Sequence, residues 1–465
     1  MKLVLLSGGS GKRLWPLSND ARSKQFLKIL TKENGIKESM IQRVWRQLAK
    51  NNLDNDSVIA TSKNQVDMIH NQIGLGNPIV VEPERRDTFP AIALSAVYLY
   101  SVEGYSPDEF VGILPVDPYV EDRFFSVVKE LENVLSESNA DIALIGVAPT
   151  YPSSKYGYIV PTSSEKDDSY YKVNSFKEKP EEEEAAALID NGALWNCGVF
   201  SFKLSCILNI LVEQGFPIQY DELVKQYNKL PQNSFDYEVV EKANHIVVLP
   251  YDGYWKDLGT WNTLTEEMGA QLNGKGIICK ESSNSHIVNE LDIPVTLIGL
   301  DNVIVAASSD GILVSDKQSS PKVKEYVNSF DGRPMYEERR WGWYRVLEHT
   351  KYKEGNEVLT KRIGVHAGKN LSYQVHYKRS EVWTVIKGEG IFVLNDTIHH
   401  VRAGDVLQVP LAAKHALKAT TELEIIEVQT GSELIEEDIY RFAVDWSEIE
   451  MIIMSTMISS KASVI

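Results

Sequence analysis

Cysteine is scarce in this chain: 465 residues contain three, Cys197, Cys206 and Cys279. They are too few and too scattered for a disulfide framework or a thiolate zinc site, and such scarcity suits a reducing compartment. Long apolar runs are also lacking. The tail from Met451 to Ile465 is mildly apolar but broken by Ser455, Ser459, Ser460 and Lys461, whereas a membrane span needs about twenty apolar residues. It is expected to be disordered, as chain ends often are. At the other end, Met1 to Ser7 runs straight into a glycine loop with no room for a signal peptide, so a cytoplasmic protein without a membrane partner is expected. A basic excess is missing as well. A formal charge of −17 argues against general polyanion binding, hence against nucleic acid as a partner.

Against that acidic background, one basic segment stands out. The apolar run Leu3-Val4-Leu5-Leu6 leads into Ser7-Gly8-Gly9-Ser10-Gly11-Lys12-Arg13-Leu14, with Arg22-Ser23-Lys24-Gln25 close behind. Glycines let backbone N–H groups approach an anion, and Lys12 and Arg13 can neutralise charge on a phosphoryl group. Two familiar phosphate loops are excluded. A Walker loop needs Ser or Thr after its lysine, where Arg13 stands, and a dinucleotide fingerprint needs a third glycine where Leu14 stands.

The longer string Gly-Gly-x-Gly-x-Arg-Leu-x-Pro-Leu, followed by Lys-Gln-Phe-Leu, resembles the signature of the sugar-1-phosphate nucleotidyltransferases. More narrowly it is similar to the mannose-1-phosphate guanylyltransferase family, in which a C-terminal cupin often adds phosphomannose isomerase activity. Ser23 departs from that pattern, which usually has proline before the lysine. The resemblance covers nearly all of the first 265 residues and implies GTP and mannose-1-phosphate as partners, with Mg²⁺ as cofactor. It assigns Arg13, Lys24, Asp117 and Asp257 to catalysis, the last two also as magnesium ligands. Nucleotide binding falls to Gly8, Gly9, Gly11, Lys12 and Glu82, the last within Glu82–Ala91. Gly157, Glu178, Lys179, Asn196 and Glu238 are assigned to the sugar phosphate.

The residues themselves support several of these roles. Asp117 follows the apolar run Phe110–Leu114, where a carboxylate can hold magnesium against phosphates. Pro118 stands after it where the family usually has histidine. Asp257 lies in Asp-x-Gly-x-Trp; alone it reads as a turn residue, but beside Asp117 it becomes the second ligand. A carboxylate and an amide suit vicinal hydroxyls, and a lysine suits a phosphate dianion, which is the chemistry of Phe176-Lys177-Glu178-Lys179-Pro180 and Asn196-Cys197-Gly198.

The chain's texture predicts an α/β protein in pieces. Residues 1–270 alternate apolar runs and helical patterns, which predicts a mostly parallel, Rossmann-like sheet with helices on both faces; the resemblance implies that this is the nucleotidyltransferase domain. Residues 271–330 carry short β-branched runs that predict a short β-helix-like segment, with Asp316–Lys324 as a connection. Residues 331–446 read as a C-terminal all-β cupin jelly roll, leaving 447–465 as a tail. In the cupin motifs, His376, Glu381 and His415 take ligand positions, while Lys378 replaces a second histidine. Strand alternation aims Lys378 into the site, so Zn²⁺ is expected to be weakly held or absent and isomerase activity absent or very weak. Arg441 matches the isomerase family's catalytic arginine. Three readings stand as alternatives: another hexose-1-phosphate nucleotidyltransferase, a bifunctional enzyme retaining mannose-6-phosphate isomerase activity, or a non-catalytic nucleotide-sugar sensor. A homodimer is left open.

Overall fold

The computed structural model describes residues 1–9, 11–19, 21–167, 169–330, 332–435 and 438–462. They form two compact units, one made chiefly of residues 1–289, 293–306 and 313–329, the other chiefly of 330 onward.

The first unit is built on a nine-stranded sheet. Its order is Ile79–Glu82, Ser57–Ser62, Lys2–Ser7, Phe110–Pro115, Leu194–Lys203, Ile142–Val147, Ile246–Tyr251, Tyr170–Lys177, Tyr158–Asp167. Seven of these strands run in one direction and only Leu194–Lys203 and Tyr170–Lys177 run against them, so the sheet is mostly parallel, as expected, with two antiparallel strands in its second half. Leu3 and Leu5 pack into one core with Val44 and Phe124, and Val4 packs into the other with Phe89 and Leu208. A strand that buries both faces reads as a continuous apolar run, which is why Leu3 to Leu6 shows no alternation. Leu6 pairs with Pro115, so the glycine loop and the segment carrying Asp117 leave neighbouring strand ends on the same edge. Ligands of open α/β sheets bind at such carboxyl ends.

Residues 271–329 do not stand apart. Most of them belong to the first unit, with short strands stacked in parallel: Leu272 pairs with Ile287, and Gly276 with Val295. At one corner the Asn284 amide donates to Asn302, 18 positions on, at 2.9 Å. Both residues have positive φ, as a repeated corner of successive coils requires.

The second unit is a double-sheet jelly roll with sheets of six and five strands. Trp383, Phe392, Leu417 and Ile425 fill the space between them. Strands Thr397–Arg402 and His415–Ala419 lie in the five-stranded sheet; the first of these is almost wholly exposed, so no apolar alternation announces it. The tail expected to be disordered is instead a helix, Trp446–Ala462. Trp446, Ile449 and Ile453 lie on one helical face and pack with Tyr373, Val393 and Ala416. Ile453→Ala should therefore lower the stability of this unit by about 2–4 kcal/mol, read as a shift of the corresponding urea transition.

Candidate functional site

The glycine loop is held from beneath by a buried polar network. Ser23, 1% exposed, donates to the Gly9 carbonyl at 2.9 Å and accepts from the Gln65 amide at 2.6 Å. Gln25 donates to Ser7 and Gln65, and Thr61 to the Ser7 carbonyl. A serine hydroxyl thus does at position 23 what proline could not, tying the loop to the neighbouring strand. Gly11 is required by proximity: a Cβ there would lie 2.8 Å from the Asn19 carbonyl oxygen and from the Ser23 Cα. Above this floor lies a cavity of about 270 Å³ lined by Gly8, Gly9, Gly11, Lys12, Arg13, Lys24, Gln25 and Lys324. Arg22, grouped with these cations in the sequence, is buried and does not line it.

Lys24 Nζ sits between two carboxylates, 2.8 Å from Asp117 Oδ2 and 3.1 Å from Asp257 Oδ1. Burial alone would loosen its proton, but the two aspartates more than offset this and raise its pKa above the usual lysine value. The carboxylates are brought together by a two-stranded ladder, Pro118–Val120 with Trp255–Asp257, in which Asp257 faces Pro118. Proline is tolerated as the first residue of a strand. A Cβ on Gly259 would meet Asp257 Oδ2 at 2.8 Å, and the Trp261 indole donates to the Trp15 carbonyl at 3.1 Å. The Asp-x-Gly-x-Trp pattern therefore makes room for the carboxylate and anchors it to the glycine loop. Two hard oxygens already gathered around one cation fit Mg²⁺.

Beyond this pair lies a second cavity of about 240 Å³, whose lining includes Lys24, Asp117, Lys155, Tyr156, Asn196 and Asp257. Lys24 lines both cavities. Gly157 is small because Glu178 is near: a Cβ would stand 2.5 Å from Glu178 Oε2. Lys179 pairs with Glu178, which outweighs burial and raises the lysine pKa. Asn196 sits at a bulge beside Gly198 and donates to Asp236 Oδ1 at 2.7 Å.

Not every expected residue arrives here. Glu238 pairs with Lys242 and accepts from the Gln214 and Asn233 amides; Asp236, two positions earlier in the same short helix, takes the place beside Asn196, and Glu241 Oε1 accepts the Glu178 N–H at 3.1 Å. Glu82 does not line the glycine-loop cavity; it is buried and accepts from the Tyr227 hydroxyl at 2.8 Å. Asp236, Lys155, Tyr156 and Trp255 carry no role in the sequence reading; what points to them there is nearness to Glu238, Gly157 and Asp257.

In the second unit, His376, Glu381 and His415 do converge, with ligand atoms within 4.8 Å of one another. Each imidazole holds a backbone carbonyl through Nδ1, Asp438 at 2.6 Å and Ala413 at 3.0 Å, which turns the Nε2 atoms inward. Burial lowers both histidine pKa values, His376 to about 4. Lys378 does not enter. The strand ends at Val375, and the Asp438 carboxylate accepts the N–H groups of Tyr377 and Lys378 at 3.0 Å, turning Lys378 out to pair with Glu433. The cation in the pocket is Arg379, 4% exposed, whose Nε donates to Glu381 Oε1 at 2.9 Å and whose Nη2 lies 3.3 Å from His376 Nε2. Glu381 also accepts from Trp383 and Gln429, while buried His415 Nε2 has no hydrogen-bond partner among the described residues. Arg441 is exposed, opposite Gln374.

The fold and the paired cavities define a nucleotidyl transferase, and residues 2–273 match the family of that description; the chain belongs to it. Residues 333–444 match the mannose-6-phosphate isomerase C-terminal family. The chain is 31% identical to a putative mannose-1-phosphate guanylyltransferase of Vibrio cholerae, over 94% of this chain and 98% of that protein. It is 30% identical to the mannose-1-phosphate guanylyltransferase of Escherichia coli K12, over 95% and 97%. A Thermus thermophilus crystal structure described as a mannose-1-phosphate geranyltransferase superposes with a TM-score of 0.59 at 26% identity, covering 71% of this chain and all of that one.

Asp236 offers a test of the second cavity's electrostatics. Burial, then the charge of Glu178, pushes its pKa up to about 7. The folded state therefore holds a proton that the unfolded chain releases near pH 4, so this group's contribution to stability falls as pH rises from about 4 to 7. Asp236→Asn, which keeps the acceptor for Asn196, should flatten that fall by up to about 1.4 kcal/mol per pH unit. Urea unfolding of both proteins at pH 5.0 and 7.5 reads the difference.

Proposed function

We propose that this chain is a GTP:mannose-1-phosphate guanylyltransferase, forming GDP-mannose and pyrophosphate. The observation that carries the reading is Lys24, which lines both the glycine-loop cavity and the cavity of Asp117, Asp257 and Asn196. A polyphosphate and a sugar phosphate bound in the two would meet at its ammonium. The names of the relatives supply guanine and mannose. An oxygen of mannose-1-phosphate attacks the α-phosphorus; the bond to the β-phosphate's bridging oxygen breaks, and pyrophosphate leaves. No enzyme nucleophile is needed. Arg13 and Lys24 neutralise the triphosphate, Lys179 holds the incoming phosphate, and Glu178 with Asn196 orients the sugar hydroxyls. Asp117 and Asp257 would hold magnesium, which would supply positive charge to offset that of the phosphates. We assign the reaction to the cytoplasm.

Pyrophosphate release should be greatest with GTP and mannose-1-phosphate among four nucleoside triphosphates and several sugar-1-phosphates, and Asp257→Asn should lower kcat about 10²–10³-fold. Preference for UTP or dTTP with glucose-1-phosphate would overturn the substrates and spare the chemistry. GTP binding with no magnesium-dependent turnover would identify a sensor instead.

Phosphomannose isomerase activity is expected to be absent or very weak. That reaction moves a proton between C1 and C2 beside a carbonyl that a firmly held metal polarises. Two of the three donors here already meet a permanently charged guanidinium at Glu381 Oε1 and His376 Nε2, which does not fit a resident metal. Metal analysis of the purified chain should find sub-stoichiometric zinc, and an isomerase assay little turnover. Stoichiometric zinc with robust isomerisation would overturn this.

A further inference from the structure

The family match to the transferase ends at residue 273, yet a later segment returns to the phosphate cavity. Asp316–Lys324 reads as a polar connection in the sequence. In the structure it is tightly held. Asp316 accepts the Asn302 amide at 2.7 Å and the Ser319 N–H at 2.9 Å. Lys317, 5% exposed, donates through Nζ to Asn284 at 2.9 Å, and the buried Ser320 hydroxyl donates to the Lys317 carbonyl at 2.7 Å. These bonds fix a turn, Ser320–Lys322, from which a short helix, Val323–Val327, emerges. Val323 and Val327 are buried one helical turn apart, and the helix packs against the turn Lys12–Leu14. Lys324, next to the buried Val323, is thereby presented to the cavity it lines with Gly8, Gly9, Gly11, Lys12 and Arg13.

We propose that Lys324 binds the β- and γ-phosphates of the nucleotide, and so the pyrophosphate that leaves. This rests on the transferase reading above. Three features set the assignment. Lys24 lines both cavities, so the reacting α-phosphorus lies at that end; Lys324 lines only the glycine-loop cavity, where the rest of the triphosphate must run. Lys24 is already engaged by two aspartates, whereas Lys324, among the described residues, makes no ion pair and has its charge to give. Its backbone is anchored by the coil corners at Asn284 and Asn302, so the β-helix-like segment acts as a positioning arm for one side chain of the active site.

The test uses the full chain and its Lys324→Met, Lys324→Glu and Lys324→Arg variants. Calorimetric titration with magnesium pyrophosphate and steady-state kinetics in both directions are compared. Lys324→Met should raise the Kd for pyrophosphate and the KM for GTP about five- to tenfold, as loss of one charge-assisted contact does. Lys324→Glu should raise them further, and Lys324→Arg should restore them to within about twofold. The KM for mannose-1-phosphate and the melting temperature should hold. Pyrophosphate binding unchanged in the Met and Glu variants would overturn the proposal, as would an arginine variant impaired as much as the methionine one, which marks a packing role. Absence of turnover in the unmodified chain would count against the guanylyltransferase reading alone, and the pyrophosphate titration would still decide on Lys324.

Discussion

One ammonium group holds the transferase site together. Lys24 bridges two carboxylates from distant parts of the chain, Asp117 and Asp257, the latter lying 233 positions away. Two anions converging in a half-buried pocket repel each other, and a cation between them converts that repulsion into the bond that closes the site. The surrounding structure serves this geometry: the short ladder beneath both aspartates, the glycine that makes room for Asp257, and the indole that ties Trp261 to the loop.

The two units contain the same motif with opposite consequences. In each, a basic side chain stands among residues whose chemistry suits a metal ion. Lys24 is a flexible point charge, about a fifth exposed, whose contacts here are the two aspartates. Arg379 is held by Glu381, the Ile435 carbonyl and His376 in a buried pocket, and its planar fork is locked by those bonds. The first arrangement leaves the cation on a mobile stem at the edge of a cavity. The second holds it fixed.

Departures from the family pattern are absorbed locally. Ser23 replaces proline and uses its hydroxyl to bind the loop; Pro118 replaces histidine and starts a strand where no N–H is required. Both motifs were legible because glycine spacing and paired carboxylates carry their chemistry in local order. Glu238 and Lys378 point elsewhere than the sequence reading expects, for geometric reasons. Successive helical residues turn by about 100°, so positions 236 and 238 face apart and only Asp236 meets Asn196. Strand alternation holds only while the ladder lasts, and here it stops before Lys378.

The amino-acid sequence by itself determined the α/β domain, the cupin, the glycine loop and the choice of Asp117 and Asp257 as a pair, because each depends on residue type at short spacing. Tertiary structure alone decided which cation enters each pocket and that most of residues 271–329 join the transferase unit. It also decided that Lys324 reaches the glycine-loop cavity, over 300 positions from Gly8. Those outcomes depend on where a strand ends, on which side of a helix faces inward, and on how far a coil carries the chain back. None of these is written in the spacing of neighbouring residues; each is set by the packing of distant ones.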